Sequence, residues 1–243
     1  AFSGWYFHEP DQLRLPVLSV QIETPVGPCP AWEFPADGDS DVWVVQVHGR
    51  GTTRAETLRA IPIFHALGIT ALAVSYRNDG EAPESASGTY ALGATEWRDV
   101  EAAIEYALHR GAQRVLLMGW SMGGAMCLQA EALSSHRDAI AGLILESPVV
   151  DWRTVLRNQS RLLNLPAPVL GLTERILDSR WGARLVRGGD PIPLDRLDRV
   201  AHAAELRHPV LILHSDDDGF VPSDASHALA AARPDLVTME TFE

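Results

Sequence analysis

The stretch Val115-Leu-Leu-Met-Gly-Trp-Ser-Met-Gly-Gly124, running on into Ala125-Met-Cys-Leu-Gln-Ala-Glu-Ala-Leu133, decides how this chain is read. A leucine-rich apolar run ends in Gly119-x-Ser121-x-Gly123, and an alanine-rich segment of helical composition follows at once. A serine is thrust out of a sharp strand-to-helix turn only when its neighbours two residues away lack side chains, because strand and helix backbones nearly touch there. The spacing therefore predicts a strand, an elbow with Ser121 at its crest, and a helix. A Gly-rich turn could also merely close a βα unit, but the apolar run before it and the helical run after it favour the elbow.

Outward from that point the chain alternates. Residues 17–22 and 31–34 read as short strands around the turn-rich Thr24-Pro-Val-Gly-Pro28, a hairpin at a sheet edge. Strands are predicted at 41–47, 69–74, 115–120, 142–146, 209–214 and 236–242, with helices at 55–67, 95–110 and 223–232 besides the one after the elbow. Thr95 is a plausible cap for a helix whose Val100, Ala103, Ile104, Ala107 and Leu108 share one face. Strands separated by helices long enough for parallel returns predict an α/β fold with a mostly parallel sheet covered on both faces. Residues 153–208 break the rhythm. Their Arg-rich amphipathic stretches, 154–163 and 172–177, are separated by Pro166, Pro168, Gly188-Gly189 and Pro191, and read either as a helical lid or as cover for the sheet edge.

Length and composition agree with one domain. The 243 residues are 46% apolar, enough for a substantial single core. Asp and Glu outnumber basic residues 32 to 20, for a net charge of −12, which argues against nucleic acid as a partner. No lysine occurs, so Ser-Lys and Schiff-base chemistry are excluded within the chain. Cys29 and Cys127 suggest neither a disulfide framework nor a thiolate metal site. No apolar run reaches the roughly 18 residues of a membrane span, and no signal-type leader opens the sequence, so a cytoplasmic location is expected.

The chemistry centres on acyl transfer. Serine needs a base to take its proton and backbone N–H groups to receive the oxyanion. Met122 supplies one N–H from the elbow; the loop His48-Gly-Arg-Gly51, after the strand at 41–47, offers a second from Arg50. His214-Ser-Asp-Asp-Asp-Gly-Phe-Val-Pro222 carries three carboxylates, fit to orient an imidazole, to form a solvated turn, or to make a poor Ca²⁺ loop. His48 and His214 sit at strand ends where an imidazole commonly binds loop backbone, and His227 falls in a helix expected outside the sheet. None is well placed as the base.

With these residues in view, the chain resembles the α/β-hydrolase superfamily, close to bacterial serine hydrolases of the Bem46-like and prolyl-oligopeptidase-like groups of esterases and peptidases. Gly119-Trp-Ser-Met-Gly123 is similar to the elbow, His48-Gly-Arg-Gly51 to the His-Gly oxyanion loop, and the 214–222 segment to an H-G-x-x-D-x-x-V-P acid loop. That similarity implies Asp218 as the acid. It also implies that Tyr76-Arg77-Asn78 and Glu96-Trp97-Arg98-Asp99 buttress loops, and that the base is a histidine a few residues beyond Glu243, after the last strand.

The expected function is a serine hydrolase that cleaves a small-molecule ester, or less readily a short peptide amide, through an acyl-enzyme. No cofactor and no metal are expected. An acyltransferase on the same nucleophile and a non-catalytic binding protein that keeps the fold are the alternatives. A dehalogenase or epoxide hydrolase is disfavoured, because those relatives need a carboxylate where Ser121 stands.

Overall fold

Strands whose residues are apolar on both sides can be satisfied only inside a sheet with both faces covered. The computed structural model describes residues 6–185 and 190–242, and builds that sheet from β1 (Leu18–Thr24), β2 (Gly27–Phe34), β3 (Val42–Val47), β4 (Thr70–Val74), β5 (Arg114–Trp120), β6 (Ile140–Glu146), β7 (Val210–Ser215) and β8 (Val237–Phe242). Its strand order is β1-β2-β4-β3-β5-β6-β7-β8. The β1–β2 and β2–β4 pairs are antiparallel and the remainder parallel. The helices are α1 (Ile61–Ala66), α2 (Trp97–His109), α3 (Met122–Leu133), α4 (Trp152–Leu162), α5 (Ala167–Asp178), α6 (Arg180–Leu185) and α7 (Asp224–Ala232).

Pleating divides the core in two. Val45, Val47, Val115 and Leu117 face α2 and α3, where they pack with Val100, Ile104 and Met126. Val44, Met118 and Trp120 face the other way, toward Leu58, Ile61 and Phe64. Each such buried side chain contributes roughly 1.5–3 kcal/mol of hydrophobic stabilisation.

The order of winding positions the site. From β3 the chain goes outward to β4 on one side, then returns to β5 and continues β6, β7, β8 on the other. Such a reversal leaves a crevice at the carboxyl ends of the two strands that flank it. Val47 lies opposite Gly119 across β3 and β5, so the loops after these two strands meet there.

Three local expectations are corrected. The helix expected over 55–67 is a 3₁₀ segment, Arg54–Ala60, followed by the short α1. Pro62 lacks an N–H and its ring clashes with the carbonyl four residues earlier, so one α-helix cannot run through it. Thr95 does not cap α2; Glu96 holds the N-cap position, its carboxylate engaged with the preceding loop. The hairpin's second strand is longer than 31–34, because Gly27 onward pairs with β1 in full register.

Between β6 and β7 stand α4, α5 and α6, then an irregular return with a 3₁₀ turn at Ala203–Glu205. The Gly188-Gly189 break expected in this region lies outside the described residues. Among the described residues no helix is long and apolar enough to cross a membrane.

Candidate active site

Ser121 adopts φ +51°, ψ −115° between β5 and α3, a backbone region costly for a residue with a side chain. Its neighbours explain how it is held there. A Cβ on Gly119 would lie 2.6 Å from the Gly123 carbonyl carbon, one on Gly123 would run into the Val47 and His48 carbonyl oxygens, and one on Gly124 would meet Pro148. The Ser121 N–H donates to the Glu146 carbonyl (3.0 Å), and the Ser121 carbonyl accepts from Gly124 (3.0 Å) and Val149 (3.1 Å). The serine expected at the crest of the elbow is therefore there, pinned to both β6 and its own helix.

The His48–Gly51 loop approaches from β3. A Cβ on Gly49 would contact the Ser121 Cβ at 3.4 Å. The Gly49 peptide is fixed from both ends. Its N–H donates to Glu56 Oε2 (2.7 Å), while its carbonyl accepts from the Tyr76 hydroxyl (2.9 Å) and the Thr52 hydroxyl (3.1 Å) and lies 2.8 Å from His48 Nδ1. The same amide plane carries the Arg50 N–H on its opposite edge, so fixing the Gly49 oxygen fixes the direction of that donor. Neither the Arg50 nor the Met122 N–H donates to an acceptor among the described residues.

His48 is fully buried, stacked on Tyr76 with ring centroids 4.3 Å apart, its Nε2 3.1 Å from Asp79 Oδ2. Asp79 accepts further from the Tyr76, Glu81 and Ala82 N–H groups. Burial pushes its carboxyl upward, but the His48 contact and the backbone donors outweigh burial and hold it below the ordinary carboxylate range. Burial in turn drives the Tyr76 phenol well above its usual value, so it serves as a donor.

The two segments expected to buttress loops do so. Arg77 grips Asp99 through Nε (2.8 Å) and Nη2 (2.5 Å), and its N–H donates to the same carboxylate. Glu96 receives the Ala91, Gly93 and Thr95 N–H groups, and Asn78 bridges Ser85 and the Thr89 carbonyl.

The three aspartates after β7 separate by environment. Asp216 is exposed and pairs with His227 Nε2 and Ser223 (2.8 Å each), and these contacts lower its pKa. Asp217 points to solvent. Asp218 is the half-buried one, its Oδ1 accepting the Phe220 and Val221 N–H groups (2.9 Å each). Those two residues share a cavity of about 470 Å³ with Ser121 and Arg50, lined also by Leu92, Val149, Trp152, Val155 and Leu177. Helices α4 and α5 thus contribute to the walls around Ser121 rather than only covering the sheet edge.

The strand-end histidines are structural. His214 is buried between the Ser226 hydroxyl and the Val221 carbonyl, 2.9 Å from each, and His48 is engaged as above. Cys127 packs fully buried, which raises its thiol, and burial lifts Cys29 to about 11; neither suits thiolate chemistry. Among the described residues no group of three or more His, Cys, Asp or Glu side chains is arranged to hold a metal ion.

Sequence reading missed Glu56 and Asp79. Glu56 is a lone acid in a segment expected to be helical, and Asp79 directly follows the noted Tyr76-Arg77-Asn78. Only the fold brings either to the His48–Gly51 loop.

Known structures share this frame. An esterase of Pyrococcus furiosus superposes with TM-score 0.71 at 17% identity, over 97% of this chain and 83% of the esterase. A puromycin-hydrolysing peptidase of Mycobacterium tuberculosis gives 0.70 at 22%, over 93% of this chain, and an acylaminoacyl peptidase of Pyrococcus horikoshii gives 0.68 at 19%, over 97%. This chain spans only 35% and 39% of those two peptidases. At such identities the likeness is one of fold. Among curated proteins none is significantly similar in sequence. The model of the alpha/beta hydrolase family matches residues 44–241, from β3 through the elbow to β8, and this chain belongs to that family.

Proposed function

We propose that this protein is a serine hydrolase that cleaves small-molecule esters through an acyl-enzyme intermediate. The observation that carries the reading is the strained Ser121, presented between the ends of β3 and β5 in an apolar cavity beside two uncommitted backbone N–H groups. Ser121 Oγ attacks the ester carbonyl carbon while a base takes its proton. The oxyanion is received by the Met122 and Arg50 N–H groups, whose fixed directions avoid reorganisation during the step. The base returns the proton to the departing alcohol, and water then releases the acid by the same route.

Asp218 is the acid that orients the base. Its loop shares the cavity with Ser121, and its Oδ2, 3.8 Å from His214 Nε2, accepts no hydrogen bond among the described residues and can receive an imidazole N–H. None of the nine histidines hydrogen-bonds the Ser121 hydroxyl among the described contacts. Because Phe242 lies opposite Ser215 in the β7–β8 ladder, β8 ends at the rim that carries the acid loop. Helices α4 and α5 serve as the cap, and their apolar side chains favour an apolar acyl group over a charged one.

Labelling of the full-length protein with a fluorophosphonate probe tests this. The probe is expected to attach to the wild type and not to Ser121→Ala. Equal labelling of both, or of neither, overturns the reading, and the second outcome identifies a binding protein on a hydrolase frame.

A further inference from the structure

The helical segment 152–185 differs from the rest of the molecule in both charge and apolar exposure. It carries Arg153, Arg157, Arg161, Arg175, Arg180 and Arg184 against only Glu174 and Asp178, within a chain of net charge −12. Arg153 is bound by Asp195 at 2.7 Å and Glu174 at 3.8 Å. The other five arginines are exposed and form no ion pair among the described residues.

One helix of this segment, α6, is turned inside out. In α6 the inward side is Gly182 and Ala183; a Cβ on Gly182 would lie 2.7 Å from the Ile176 carbonyl carbon, so the two helices are in backbone contact. The large apolar residues point outward, with Trp181 56% and Leu185 68% exposed, next to Arg180 and Arg184. Helix α5 exposes Val169 and Leu172 beside Arg175, and the end of α4 with the turn after it exposes Leu162, Leu163 and Leu165. In α6, small residues inside and tryptophan, leucine and arginine outside reverse the pattern of a water-facing helix, while α4 keeps Trp152 and Val155 inside.

We infer that this surface docks on an anionic lipid bilayer. Tryptophan and leucine side chains suit the boundary between headgroups and acyl chains, and unpaired guanidiniums suit lipid phosphates. Charge selects this occupant. A second copy seated face to face would set five unpaired arginines against five more, whereas an anionic surface attracts this segment and repels the acidic remainder, which also fixes the orientation. Docking needs neither Ser121 nor its chemistry, so its failure and that of the proposed hydrolase activity are separate.

The test is co-sedimentation of the Ser121→Ala protein, which leaves lipid intact, with vesicles of phosphatidylcholine alone or mixed with phosphatidylglycerol. Binding is expected to the mixed vesicles only, and is expected to weaken in high salt. The double variants Arg180→Glu/Arg184→Glu and Trp181→Ser/Leu185→Ser, at exposed positions, are each expected to lower it by about tenfold or more with an unchanged circular dichroism spectrum. Absence of binding to mixed vesicles, or undiminished binding by both variants, overturns the inference. So does a dimer in sedimentation velocity that the Trp181→Ser/Leu185→Ser change dissociates, since a second copy would then cover the face.

Discussion

The elbow and the helical segment 152–185 lie on either side of one cavity, yet they are built by opposite rules. Around Ser121 and Gly49 backbone groups are gripped by partners both near and distant in sequence, and atoms added at Gly119 and Gly123 meet unyielding backbone. Across the cavity the helices meet solvent with leucine, tryptophan and unpaired arginine. The contrast teaches where this molecule invests its order. Reacting groups must keep one geometry, so their surroundings are over-determined, whereas a surface that meets a variable partner gains from side chains free to adapt.

The largest effect that would break the comparison is at Gly123. Replacement by Ala drives a Cβ into the Val47 and His48 carbonyls, and because both are backbone neither can move aside. A loss of more than about 4 kcal/mol is expected, read as failure to fold or a steep drop in melting temperature. A Gly123→Ala protein of near-normal stability would show the elbow to be less constrained than its contacts require.

Asp79 sharpens the same side of the contrast. Its pKa is held below the ordinary carboxylate value by His48 and backbone donors, so its contribution is complete above about pH 4 and fades as acid titrates it through its lowered folded value. Asp79→Asn removes the charge while keeping the shape. A loss of about 2 kcal/mol is expected at neutral pH, or roughly 4–8 °C in melting temperature. The gap between wild type and variant should narrow below pH 4; a gap constant across that range would mean that the charge is not what stabilises the loop.

The smallest effect lies on the other side and has the opposite sign. Gly171 is exposed in α5, and a Cβ there meets nothing within 4 Å. Gly171→Ala should stabilise the protein by about 0.5–1 kcal/mol in urea denaturation, through helix propensity alone. Destabilisation by the same substitution would show tighter packing in the segment than its exposure implies.

How much was legible in the sequence follows the same divide. The elbow could be read because its constraint is local: a serine with positive φ needs glycines at fixed offsets, and these are consecutive in the chain. The 214–222 acid loop could be located because its pattern is equally short, although only the family resemblance chose Asp218 among its three aspartates. The break in the 55–67 helix was also written there, in Pro62. Asp79 was not readable, since it becomes meaningful only when the sheet brings it to the His48–Gly51 loop, and Glu56, five residues past Gly51, only when the 3₁₀ segment folds it back onto that loop. Residues 154–163 and 172–177 read as amphipathic stretches, but α6 (Arg180–Leu185) gives no such signal, because Gly182 and Ala183 permit a backbone contact that leaves its larger side chains outside.

One consequence of the elbow's wiring concerns time rather than shape. Relaxing the strained peptide at Ser121 would free its carbonyl from Gly124 and Val149, and its N–H from the Glu146 oxygen. Those partners belong to the helix that follows the serine, to the run into α4, and to a central strand. Breathing of a single loop therefore cannot release it, and the strained posture lasts as long as the sheet itself remains assembled.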